Sequence, residues 1–274
     1  MNLENPKELV KEIKKSGFPL EIDVFNKLIS AGFSAGSSIY IDEDSGKSRE
    51  LDIESSISYG TRDKSSFLMH FIIQCKSLSN KNWVFFDNTQ KQELSPETEL
   101  FHSCNHRHPE FSNFLKFLEE DKQKFNEAYR NIQGKGKIHK SRIEIPKNER
   151  KIDLLYESII TTIKAKRYFK NLYSEAPYGG EVLLKMFLPV IITDKISLWS
   201  VPLNGKKAEL MTFQDLKKEK FILLDSNFLA RDGEWESNTI FIVSIDYLEE
   251  FIKKVKDLSN FLYKKWSCFR EMEK

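Results

Sequence analysis

The chain has 274 residues, 40% hydrophobic and 31% charged, with 43 Lys and Arg set against 41 Asp and Glu. That length supports one large domain, and an aromatic content of 12%, including 21 Phe, excludes a disordered chain. A net charge of +2 does not mark a polyanion partner, so any such contact has to come from local charge.

Residues 6–15 predict a short helix with Leu9, Val10 and Ile13 on one face, ended by Gly17. "PLEIDVFNKLISAG" predicts a second helix, with Leu20, Val24, Phe25, Leu28 and Ile29 as its apolar stripe, Pro19 at its start and Gly32 at its stop. "SSIYID" predicts a strand and "DSGK" a turn. In "SRELDIESSIS" the alternation puts Leu51 and Ile53 on one face and Glu50, Asp52 and Glu54 on the other. "YGTRDKSS" reads as a turn, and "FLMHFIIQCK" and "WVFF" as strands. From Pro109 to about Arg130 the pattern is helical and highly charged. "QGKGKIHKSRIEIPK" reads as a loop, and "NERKIDLLYESIITTIKAKRYFKNLY" as a long amphipathic helix. "EVLLKMFLPVIIT", "ISLWSVP", "KFILL" and "TIFIVSI" return to strands, and "DYLEEFIKKVKDLSNFLYKKW" closes the chain as a helix. Strands early and late with helices between predict an α/β fold: one mixed central sheet flanked by helices. We place its core at residues 17–96 and 179–274, with a helical insertion at 97–178.

Three scattered cysteines, Cys75, Cys104 and Cys268, argue against a disulfide framework and for a reducing cytoplasm. The charged start "MNLENPKELVKEIKKSG" lacks the apolar core of a signal peptide. The longest apolar run, "VLLKMFLPVII", is interrupted by Lys185 and Pro189 and is too short to span a bilayer.

"FIIQCK" is the informative stretch. Gln74 and Lys76 stand where the apolar run ought to continue, and polar groups at a strand's buried end require partners. If the hairpin turn centres on Asp63, residue 52 lies opposite residue 74, and residues i and i+2 share a face. Asp52, Gln74 and Lys76 then converge, with Glu50 close by. A carboxylate, an amide oxygen and a lysine at one point suit metal-assisted phosphodiester hydrolysis. Mg²⁺ takes hard oxygen ligands, so Asp52, Gln74 and the Cys75 backbone carbonyl are candidate ligands, with Glu21 on the second helix as a fourth. Lys76 is placed to orient the attacking water or stabilise the phosphate. A plain structural ion pair between Lys76 and Asp52 is the alternative.

The order of Glu21, then "RELD" with Asp52, then "QCK" with Gln74 and Lys76 resembles the PD-(D/E)XK nuclease superfamily over residues 17–90. The resemblance implies a restriction-endonuclease-like fold and a Mg²⁺- or Mn²⁺-dependent nuclease acting on nucleic acid, DNA before RNA, in restriction, repair or antiviral defence within a prokaryotic cytoplasm. By it Asp52 is the metal-binding acid, Gln74 the (D/E) position, Lys76 the catalytic lysine and Glu21 the helix acid. Leu51 stands where the motif has Pro. Gln74 replaces an acid and removes one negative charge from the metal site. A nuclease-fold subunit that binds nucleic acid or a protein without turnover is the competing reading, and a homodimer is left open.

Other stretches carry weaker signals. His102, Cys104, His106 and His108 are metal-ligand types, but their alternate spacing does not match a zinc site. His70 shares a face with Gln74 and reads first as a core histidine. Between residues 134 and 151 cations outnumber acids, and Lys135, Lys137, Lys140 and Arg142 suit either a solvated loop or phosphate contacts.

Overall fold

The computed structural model describes residues 8, 10, 12, 13, 16–60, 66–78, 81–87, 111–133, 138–146, 154–175, 183–194, 198–202, 217–229 and 235–272. In chain order they form α1 (Phe18–Ser30), β1 (Ser34–Asp42), β2 (Lys47–Tyr59), β3 (Ser66–Lys76), β4 (Lys81–Asp87), α2 (Phe111–Glu119), α3 (Lys122–Gln133), β5 (Ile138–Pro146), α4 (Leu154–Glu175), β6 (Leu183–Thr193), β7 (Leu198–Pro202), β8 (Lys217–Glu219), β9 (Phe221–Leu229), β10 (Trp235–Ser244), a 3₁₀ turn (Ile245–Tyr247) and α5 (Leu248–Met272). Most of the helix expected at residues 6–15, and the turn at 61–65, lie outside the described residues.

Pro19 sits in the first turn of α1, where its missing N–H removes no helical bond. The helix stops at Gly32, whose φ of +85° favours glycine. The Gly32 N–H bonds the Ile29 carbonyl at 2.9 Å and the Phe33 N–H bonds that of Leu28 at 3.0 Å, so the last turn's carbonyls are satisfied. Leu20, Val24 and Leu28 are buried as expected. Phe25 and Ile29 are not: they are 38% and 46% exposed. The stripe read from sequence is wider than the face that meets the sheet.

The sheet order is β1-β2-β3-β6-β10-β9-β5-β4-β7-β8. The first six strands form a continuous mixed sheet, antiparallel at β1–β2, β2–β3 and β10–β9 and parallel at β3–β6 and β6–β10. Strand β5 joins β9 through two residue pairs, Ile138 with Leu223 and His139 with Leu224, and carries β4, β7 and β8 beyond it. The β2–β3 hairpin pairs Ile53 with Ile73 and Tyr59 with Phe67, a register centred on residue 63 as the sequence predicts.

Helices cover both faces. One core cluster joins α1, α2, α3 and α5 to the odd-numbered side chains of β3 from Phe67 to Cys75. On the opposite face α4 packs Leu155, Ile159 and Ile163 over Ile191 and Ile242, and Ala165 and Phe169 over Leu51, Ile72 and Phe187. The described residues of the stretch 97–178, expected as a helical insertion, form α2, α3, β5 and α4. Its α2 and α3 dock on α5, with Phe114 edge-on to Trp266 at 5.0 Å and Phe125 stacked on Phe261 at 6.4 Å. It also supplies α4, the cover of the second face, and β5, which lies where the sequence predicts a loop. Local composition hid β5 because its pairing with β4 and β9 is non-local.

Candidate functional site

A β-bulge shapes the site. Strands β1 and β2 pair in one register from Ser34–Ser56 to Gly36–Glu54 and in another from Ser38–Leu51 onward. Ser37 therefore faces two residues, Asp52 and Ile53. The extra residue overturns the expected alternation. Ile53 is buried with α1 and α5, whereas Leu51, two residues earlier, is buried under α4. Asp52 sits at the crossover, and its side chain takes up a backbone donor: the Cys75 N–H donates to Asp52 Oδ2 at 2.7 Å. Lys76 Nζ lies 3.8 Å from the same oxygen, and both side chains keep some access to solvent, 27% for Lys76 and 18% for Asp52.

Glu21 stands in the first turn of α1, where the helix dipole favours an acid. Its carboxyl is held above the ordinary value of 4.5, first by partial burial and then by the charge of Asp52, with Lys76 pulling the other way and Glu50 adding to the rise. Asp52 is likewise raised, by burial first, against Lys76 and the Cys75 N–H, with Glu50 again raising it. Glu21, Glu50 and Asp52 thus share one electrostatic neighbourhood with the Lys76 ammonium. The Cys75 thiol, on the α1 side, is pushed well up by burial and by the same two acids, Asp52 and Glu21.

Among the described residues, Gln74 makes no hydrogen bond to this group. Its register partner is Ile191, which packs beneath α4, so its face of the sheet is opposite to that of Cys75. The residue is 3% exposed and its Nε2 is buried without a hydrogen-bond partner. Sequence reasoning missed Asp194, which accepts from the Leu78 N–H at 2.8 Å and from the Ser77 hydroxyl. It follows the β6 residue paired with Lys76 and fixes the chain's exit from β3. Its signal was an acid directly after the apolar run "VIIT". An open groove of about 660 Å³, lined by Ser37, Ser38, Ile39, Ser48, Arg49 and Glu50, runs along the β1–β2 ribbon beside the acids.

His70 is a core histidine. It is 2% exposed, its Nε2 lies 2.9 Å from Glu54 Oε1, and Phe169, Tyr173 and Phe187 surround its ring. Burial works to raise the Glu54 pKa, but the adjacent His70 ring nitrogen and hydrogen bonds from Ser38 and Tyr173 bring it below 4.5 overall. Nearby Lys185 is 2% exposed, 4.4 Å from the Tyr173 ring centroid, and lowered to about 8 by burial.

His102, Cys104, His106 and His108, and Lys135 and Lys137, lie outside the described residues. Lys140 and Arg142 belong to β5, four strands from β3 and so about 19 Å from it at the usual spacing. Among the described residues no three His, Cys, Asp or Glu side chains form a ready metal cage. Among them, too, no helix is long and apolar enough to cross a membrane. The fold and site define a mixed α/β protein with an acid cluster and one lysine at a strand end. No protein-family model, curated protein or solved structure matches the chain.

Proposed function

We propose that the chain is a metal-dependent nuclease with a restriction-endonuclease-like fold that hydrolyses phosphodiester bonds of nucleic acid, DNA being the first substrate to try. The observation that carries this reading is Asp52. A bulge lifts it from the ladder, and its carboxylate lies 3.8 Å from Lys76 and within the field of Glu21. Asp52 raises the pKa of Glu21, and Glu50 raises that of Asp52, a crowding of acids that a divalent cation would relieve. The donor chemistry fits a hard ion: the carboxylates of Asp52 and Glu21, and the Cys75 carbonyl on the adjoining strand. The orphaned amide end of Gln74 would supply a further oxygen if turned toward the ion. Mg²⁺ or Mn²⁺ so held would lower the pKa of a bound water and neutralise charge on a phosphate. In this reading Lys76 orients that water or stabilises the phosphate. Lys140 and Arg142, on a strand four places from β3, would serve contacts to more distant phosphates.

One observation favours a second reading, a nuclease-fold subunit that binds without turnover: Gln74 stands in place of an acid and faces α4. Incubating plasmid and single-stranded substrates with Mg²⁺, Mn²⁺ or EDTA separates the two. The proposal expects cleavage with either ion, none in EDTA, and a loss of at least about 100-fold in Asp52→Ala. Cleavage by Asp52→Ala at the wild-type rate would refute the assignment, and metal-independent binding without cleavage would favour the second reading.

A further inference from the structure

Helix α1 has two apolar lines. Leu20, Val24 and Leu28 meet the sheet. Phe18, Ile22, Phe25 and Ile29 point outward and are 59%, 45%, 38% and 46% exposed. Their spacing is four, three, four, the repeat of the a and d positions in a helix that packs against another helix. Beside α1, the terminal strand β1 exposes Ile39 and Ile41, at 65% and 47%. Their neighbour Tyr40 is buried with α4, so alternation turns these two toward the α1 side.

We propose that this surface is the seam of a homodimer, in which α1 pairs antiparallel with α1 of a second copy about a two-fold axis. Area supports the occupant. At roughly 200 Å² per large side chain, these six leave about 600 Å² of apolar surface open. That is most of the roughly 800 Å² that each partner contributes to a standard interface, and more than singly scattered surface hydrophobics present. Self-complementarity selects a second copy of this chain. An antiparallel pairing centred between Asp23 and Val24 sets Phe18 against Ile29 and Ile22 against Phe25, so each ring meets an aliphatic side chain on both halves of the seam. A two-fold interface requires such reciprocity. The inference does not depend on the nuclease reading. Because Glu21 adjoins Ile22, the pairing would also carry two acid clusters on one particle.

Sedimentation velocity of the full chain tests it. At about 100 μM, a concentration that populates even a weak dimer, the wild type should sediment at twice the chain mass. Ile22→Lys with Ile29→Lys should sediment at the chain mass with an unchanged far-UV spectrum, both sites being half exposed. If that variant fails to fold, Phe18→Lys, at the most exposed position of α1, provides the same reading. A wild-type protein of single-chain mass at this concentration would overturn the proposal, as would folded Lys variants that remain dimeric.

Discussion

Replacing Asp52 by Asn separates a site strained for a cation from a plain ion pair. The Asp52 pKa is raised above its ordinary 3.8 by burial and by Glu50, despite Lys76 and the Cys75 N–H. An acid raised in this way binds its proton more tightly in the native state than in the unfolded chain. Native stability therefore falls as pH climbs from about 4 through the raised value. Asn keeps an oxygen for the Cys75 N–H and removes the charge. At pH 7 in EDTA, Asp52→Asn should therefore be more stable than the wild type. In a chain of this size each 1 kcal/mol of that difference raises Tm by about 3 °C. The gap should close below about pH 4, where the wild-type group is also protonated. Saturating Mg²⁺ should reverse the order, since an ion at 100 times its Kd adds about 2.7 kcal/mol to the wild type alone. Thermal melts from about pH 3 to pH 8, with EDTA or Mg²⁺, give the answer. A variant that melts below wild type at pH 7 in EDTA would refute the reasoning and make Lys76–Asp52 a structural pair.

Other outcomes follow from the same geometry. Gln74→Leu removes a buried amide nitrogen without a partner, so it should stabilise the metal-free protein by about 1 kcal/mol while weakening Mg²⁺ binding in calorimetry. Gln74→Glu should do the reverse on both counts, and a Gln74→Leu protein that loses stability would show the carboxamide to be satisfied. Lys76→Ala should abolish cleavage yet keep most metal affinity, as measured by titration calorimetry alongside a plasmid assay. His70→Leu leaves the half-buried Glu54 with less compensation and should cost about 1–2 kcal/mol in urea unfolding. Because the Glu54 pKa is lowered, its contribution is present above 4.5 and is lost as pH falls below that value, so Glu54→Gln should flatten the acid side of the stability profile.

The hairpin register was legible because two alternating strands flank a single turn, and that turn alone fixes which residues meet. Asp52 and Lys76 came together for that reason. The bulge was not legible: one extra residue leaves the local pattern of "RELDIES" unchanged but sends Leu51 and Ile53 to opposite faces. The burial of Gln74 was hidden for a related reason. Its surroundings are set by Ile191, which sits 117 positions further along the chain. Strand β5 escaped because Gly and Lys dominate its neighbourhood, while its partners β4 and β9 are distant in sequence. Phe25 and Ile29 of α1 belong to the apolar stripe of the sequence but not to the core, because periodicity reports an apolar face without saying whether this chain covers it.

Crystals grown with Mn²⁺ and measured at the manganese edge test the central claim most directly. The account predicts one anomalous peak beside Lys76, bound by the Asp52 and Glu21 carboxylates and the Cys75 carbonyl at about 2.2 Å. A map from well-ordered crystals with no peak between Asp52 and Glu21, and with those carboxylates engaged only by Lys76 and the Cys75 N–H, would contradict it.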